Sequence, residues 1–142
     1  MVLIMMIILG MMSVYTAESV LLERKMARMN WQHETLYNAA KIQLNDVEKR
    51  LPMECSIPII EQQVSMNASI DWWVLHARCA GNFQLFQYYY LIEYSGSGAL
   101  NAAHYRVSML MLDKNSGQSV RLQSYVIQQG NAAPSRVFLN EF

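Results

Sequence analysis

The chain has 142 residues, 53% of them hydrophobic and 15% charged, and its 11 basic and 11 acidic residues cancel. That is one domain's worth of chain with a low charge content. The balance excludes a basic nucleic-acid binder, an acidic disordered tail and a multi-domain enzyme.

The apolar residues are concentrated at the front. Residues 1–17 hold 14 hydrophobic residues and no charge, and the first charge is Glu18. At about 1.5 Å per residue this run makes a helix of roughly 25 Å, whereas a hydrocarbon core is about 30 Å thick and takes about 20 residues. The run reads as a membrane helix or anchor, slightly short, and points to a natural chain that begins upstream of Met1. A signal peptide fits less well. A positive leading region is absent, and cleavage after Ala17 puts Tyr15 where a small residue is needed. Arg24, Lys25 and Arg28 lie just beyond the run. Taken alone they place the domain in the cytoplasm, an inference that fails if basic residues precede the run.

No Pro or Gly occurs between Ser13 and Leu51. Within that stretch Leu22, Met26, Met29, Leu36, Ala40, Leu44, Val47 and Leu51 recur at gaps of three, four and seven, which keeps them on one helix face. Pro52 ends the pattern. The spacing predicts one helix from near residue 1 to near residue 51, apolar all round over 1–17 and amphipathic over 18–51, where it covers a sheet. A membrane-surface helix wants a strongly basic polar face. Here Glu23, Glu34, Asp46 and Glu48 are mixed with the Lys and Arg.

Residues 52–82 read as an irregular linking segment. Asp71-Trp-Trp-Val-Leu75 is either a strand or one helical turn. Cys55 and Cys79 bracket the segment, 24 positions apart. That is too few ligands, too far apart, for structural zinc, and His76 beside Cys79 has no evident fourth partner. A lone Cys and His are weak grounds for covalent catalysis. In an extracytoplasmic domain a disulfide is the simplest use, contributing about 2–4 kcal/mol mainly by restricting the unfolded chain.

Residues 83–142 are β-rich. A strand over 84–93 is broken by Tyr94-Ser-Gly-Ser-Gly-Ala. A second strand over 105–112 puts Tyr105, Val107, Met109 and Met111 on one face. Residues 113–117 make a turn. A third strand over 119–128 alternates Val120, Leu122, Ser124 and Val126 with Arg121, Gln123, Tyr125 and Ile127. In the tail, which contains Pro134, Val137-Phe-Leu139 pairs as a last short strand. The fold class expected is α+β: a long N-terminal helix packed on a small antiparallel sheet, with the sheet and C-terminal tail over 83–142.

This layout resembles a type IV pilin. The local sequence sharpens the resemblance to the PilX-like minor pilins. Glu23-Arg-Lys-Met26-Ala27 and Leu36-Tyr-Asn-Ala-Ala-Lys41-Ile-Gln-Leu44 are similar to that family's helix stretches, with Lys41 in place of an acidic residue. Tyr89-Tyr-Leu-Ile-Glu-Tyr94, Tyr105-Arg-Val107 and Val120-Arg-Leu-Gln-Ser-Tyr125 are similar to its C-terminal strands. The matches spread over roughly residues 3–128. Two features depart: the basic leader ending in glycine is absent, and so is the glutamate near the mature N-terminus of most major pilins.

The resemblance implies a minor pilin that takes part in pilus assembly or initiation and modulates adhesion or aggregation. It implies a single-pass bacterial inner-membrane protein with a periplasmic C-terminal domain, found also in the assembled pilus. Its partners are then other major and minor pilins and the inner-membrane assembly platform, with no nucleic acid, no small-molecule substrate, no cofactor and no metal. Met5, Met6, Met11 and Met12 either fit irregular helix grooves or simply face lipid, and Gly10 and Ser13 permit close approach, with Met5, Met6, Gly10 and Ser13 the expected helix assembly face. Trp72 and Trp73 serve either as interface anchors or as core. The segment between Cys55 and Cys79 and the loop 95–104 are the expected partner-contact regions.

Three rival classes are weaker. An enzyme finds little support: His33, His76 and His104 are scattered, Asp71 near His76 stands alone, and no zinc-protease, phosphate-loop or nucleophile-elbow motif occurs. A type II secretion pseudopilin of the large minor kind carries a big inserted domain for which this chain has no room. A membrane-anchored periplasmic binding protein predicts a flexible linker after the membrane helix, and the amphipathic pattern here follows without one.

Overall fold

The computed structural model describes residues 2–51, 56–58, 68–77, 79–97 and 102–142. Two compact units divide the chain, Met1–Glu34 and Thr35–Phe142, and one helix, α1 (Val2–Lys49), runs through both. The unbroken helix expected from the absence of Pro and Gly after Ser13 is therefore present. It closes with backbone bonds from Arg50 to Val47 and from Leu51 to Glu48.

In the first unit α1 is exposed on every side. It is long and apolar enough to cross a membrane. Two of its hydroxyls are satisfied inside the helix. Thr16 Oγ1 lies 3.0 Å from the Met12 carbonyl and 2.9 Å from that of Ser13, and Ser19 donates to the Thr16 carbonyl at 3.0 Å. Hydroxyls bonded back in this way make no demand on water, a requirement for helix in an apolar medium. One expectation is corrected here. The apolar stripe was to cover the sheet from Leu22 onward, but Leu22, Met26 and Met29 are exposed, and burial begins at Leu36.

The second unit is a six-stranded sheet with helix on both faces. Its strands are β1 (Ser56–Pro58), β2 (Cys79–Phe83), β3 (Phe86–Ser97), β4 (Ala102–Asp113), β5 (Ser119–Gln129) and β6 (Ser135–Glu141). From β3 to β6 each strand is antiparallel to the next. The other edge of β3 is shared: β2 pairs antiparallel with its first half, and β1 pairs parallel with residues further on. Three elements thus lie in the segment that reads as irregular, namely β1, β2 and α2 (Ile70–His76). Strand β2, Cys-Ala-Gly-Asn-Phe, has poor intrinsic strand composition and is held by its ladder to β3. Gly81 leaves room there for the ring opposite. A Cβ at that position would stand 2.5 Å from the ring of Tyr88, the residue opposite.

One sheet face lies under the second half of α1. Leu36, Ala40, Leu44 and Val47, with Leu51 beyond, form one stripe that packs on Ile92, Tyr105, Val107, Met109, Met111, Val120, Leu122 and Val126. This is the alternation expected for β4 and β5. Ala39 and Ala40 are small, which lets the helix approach closely, and each fully buried Leu or Val contributes about 1.5–3 kcal/mol. The turn after β4 also forms as expected. Asp113 accepts from Asn115 N at 2.9 Å and Ser116 Oγ at 2.6 Å, and these bonds hold its carboxyl below the usual range. Gly117 supplies the positive φ of 72°.

The opposite face is half covered by α2. The ambiguous Trp72-Trp73 run is helical because Ile70, Trp73 and Ala77 recur at helical spacing against Tyr89, Leu91 and Leu110. Ser69 caps the helix, its hydroxyl accepting from Trp72 N at 3.2 Å.

Candidate functional site

Beyond α2 the second face continues as rows of side chains that cross the strands. In the first of these rows Gln123 donates to Ser108 at 3.0 Å, both buried. The next row is Glu93, Arg106, Tyr125 and Phe138, aligned by strand register. Arg106 grips Glu93 with two bonds, Nε to Oε2 at 2.6 Å and Nη2 to Oε1 at 2.8 Å. The two side chains are 10% and 8% exposed. The carboxylate, and then the Tyr125 hydroxyl, hold the guanidinium's pKa above its ordinary value against the opposing effect of burial. A bidentate pair of this kind is fixed in orientation as well as in charge. Phe138 stacks on Tyr125 with ring centroids 4.7 Å apart and planes 9° from parallel.

Alongside this row runs a groove of about 340 Å³, lined by Ser95, His104, Arg106, Tyr125, Ile127, Val137 and Phe138, among others. Its walls are set by two departures from regular pairing. Tyr94 faces Tyr105 and Ser97 faces Ala103, so β3 carries one residue more than β4 at Ser95 and Gly96. Gly96 accommodates this with φ at 98°. On the far edge Val126 faces Arg136 and Tyr125 faces Phe138, which leaves Val137 as the extra residue of β6. Both are β-bulges, which bend a strand and re-aim its side chains.

The second bulge has a visible effect. In a regular strand Arg136 and Phe138 share a face. Here Arg136 turns to α1, where Nη2 meets Glu48 Oε2 at 2.8 Å and Nε meets Oε1 at 3.0 Å, while Phe138 turns to the opposite face. One extra residue lets the edge strand clamp the helix and wall the groove at once. No motif in the sequence marks this site. Glu93 and Arg106 meet only through the β3 and β4 register, and the bulges are unmarked apart from Gly96.

The residues singled out from the sequence fall elsewhere. Met5 and Met6 are 69% and 68% exposed, and Gly10 has nothing within 4 Å of where a Cβ would be. Ser13 is exposed on the same helix. Of the two indoles, Trp73 is fully buried and belongs to the core, because its position in α2 points it at the sheet. Its indole N–H has no hydrogen-bond partner. Trp72 is half-buried and stacks on His76, centroids 4.5 Å apart, with His76 Nδ1 2.8 Å from the Trp72 carbonyl. Cys79 opens β2 and is not a free thiol. Cys55 lies outside the described residues. The loop expected over 95–104 is mostly strand: Ser95 and Ser97 belong to β3, His104 belongs to β4, and residues 98–101 lie outside the described set. His104 lines the groove, while His33 lies on α1 and His76 on α2. No group of His, Cys, Asp and Glu able to hold a metal ion occurs among the described residues.

In outline the fold is pilin-like: a long N-terminal helix, apolar at its start, whose second half packs on a small, mainly antiparallel sheet. No family model, no curated protein and no solved structure matches the chain, so its pilin-like character rests on this architecture.

Proposed function

We propose that the chain is a membrane-anchored minor pilin of a bacterial type IV pilus, acting in assembly or initiation and modulating adhesion or aggregation. The observation that carries this reading is α1. A single helix serves as an exposed apolar rod over its first part and as the cover of a sheet core over its last part. An apolar helix rests equally well in lipid and against other apolar helices, so one sequence serves both before and after assembly. Met5, Met6, Gly10 and Ser13 form the packing face, and the exposed Leu22, Met26 and Met29 extend the helix surface open to neighbours. The partners are other pilins and the inner-membrane assembly platform, with the domain in the periplasm. Within it Cys55 and Cys79 are bonded to each other, a reading supported by the absence of a free thiol at Cys79.

The test is where the chain goes. It is expected in the membrane fraction after an alkaline wash and also in sheared surface filaments, where Met6→Cys cross-links to another pilin. Recovery in membranes but never in filaments overturns the pilin reading in favour of an anchored periplasmic protein. Recovery in filaments only when a type II secretion system is present makes it a pseudopilin. Two freely alkylated thiols in the unreduced protein overturn the disulfide.

A further inference from the structure

The groove along β3 to β6 lies on the sheet face away from α1, and its chemistry is specific. Its volume, about 340 Å³, lies at the small end of the range for sites that hold single molecules, about 300–1,000 Å³. Tyr125, Ile127, Val137 and Phe138 make most of its wall apolar. Its fixed charge is already balanced, because Glu93 occupies Arg106 with two bonds and both side chains are nine-tenths or more buried. Among the described lining residues there is no Asp, Glu or Lys and no arginine besides Arg106, so the groove offers a charged ligand no unmatched fixed charge. Arg106 still has N–H donors to spare, since a guanidinium offers five. His104 and the Ser95 hydroxyl stand on the same lining. The bulges at Ser95 and Gly96 and at Val137 show that the lining is shaped at both ends of the row, where a plain sheet would leave a flat face.

From these features we infer that the groove binds an uncharged aromatic small molecule carrying one hydroxyl or carbonyl oxygen. Its ring lies against Phe138 and Ile127, and its oxygen accepts from Arg106 or meets His104. The sequence assigns this chain no small-molecule partner, because the site exists only once register and bulges bring four strands together. Binding here involves no bond making, so the site is one of recognition.

The probe is p-cresol, added to the full-length protein in detergent micelles and followed by the methyl resonances of isoleucine. A saturable shift is expected at Ile127 and not at Ile4 or Ile8 of the apolar helix, which report partition into the micelle. Phe138→Ala is expected to weaken the saturable component about tenfold, the worth of one aromatic contact. Val137→Trp, at an exposed position, is expected to fill the groove and abolish the shift while the remaining spectrum is kept. Toluene, which lacks the oxygen, and 4-methylbenzoate, which carries a charge, are each expected to bind more weakly than p-cresol. A shift at Ile127 that never saturates, or that survives Val137→Trp, overturns the site. Binding of 4-methylbenzoate as tight as that of p-cresol overturns the choice of an uncharged ligand.

Discussion

The face of the sheet beneath α1 and the face that carries the groove share one backbone but bury different chemistry. Beneath α1, Leu36, Leu44, Val107, Met109, Met111 and Leu122 are all but inaccessible, and away from the Glu48–Arg136 pair at the edge stability there comes from volume filled. On the other face, beside the Trp73, Tyr89, Leu91 and Leu110 cluster, the same strands bury Glu93, Arg106, Ser108 and Gln123, and stability in those rows depends on each of these groups keeping its partner. A central strand such as β4 shows both at once: Val107, Met109 and Met111 point one way, Arg106 and Ser108 the other. The first face tolerates change in proportion to size. The polar rows of the second tolerate paired changes and penalise single ones.

The largest expected effect breaks the second face. Arg106→Met leaves the Glu93 carboxylate buried without its cation and should cost about 3–5 kcal/mol in chemical denaturation. Adding Glu93→Leu should recover most of that loss, because two buried charges are then replaced by apolar volume. A double variant as unstable as the single one would show that the pair stabilises the fold beyond its own desolvation. The counterpart on the first face is Leu44→Ala, expected to cost about 2–5 kcal/mol by transfer and cavity terms together. No second substitution at a polar group should rescue it.

A smaller effect sharpens the claim that the first face is filled even near the edge of the sheet. In Gly81→Ala the new methyl meets the Tyr88 ring at 2.5 Å, so ring or strand must shift. The expected cost is about 1–3 kcal/mol. Tyr88→Leu in the same background should return part of it.

Much of the first face is legible in the sequence. The gaps of three and four from Leu36 to Leu51 and the alternation of Val107, Met109 and Met111 are local patterns that any helix or strand expresses at short range. The start of burial is not legible, because Leu22 and Met26 continue the same period as Leu36 although only the latter is buried. The second face is hidden for a different reason. Arg106 and Glu93 are 13 residues apart and become partners only when β3 and β4 settle in one register. The Ser-Gly-Ser after Tyr94 reads as a strand end because those residues favour turns. The structure carries β3 through them to Ser97 by a bulge at Gly96. At the other edge nothing in Arg136-Val-Phe138 announces that Val137 is the extra residue, and so nothing announces that Phe138 faces Tyr125.

The cleanest comparison makes one chemical change on each face, and its second member has the smallest expected effect. Ser108 and Ser124 are both fully buried. Ser108 accepts from Gln123, while the Ser124 hydroxyl, next to Tyr125 but on the α1 side, has no hydrogen-bond partner. Ser108→Ala strands the Gln123 amide in the interior and should cost about 1–3 kcal/mol. Ser124→Ala removes a polar atom already desolvated without compensation, and should leave stability unchanged or raise it by up to about 1 kcal/mol. Opposite signs for the same substitution would establish that the two faces follow different rules. Equal losses would mean that the Ser124 hydroxyl has a partner in solution, and that the face beneath α1 is less purely apolar than its packing shows.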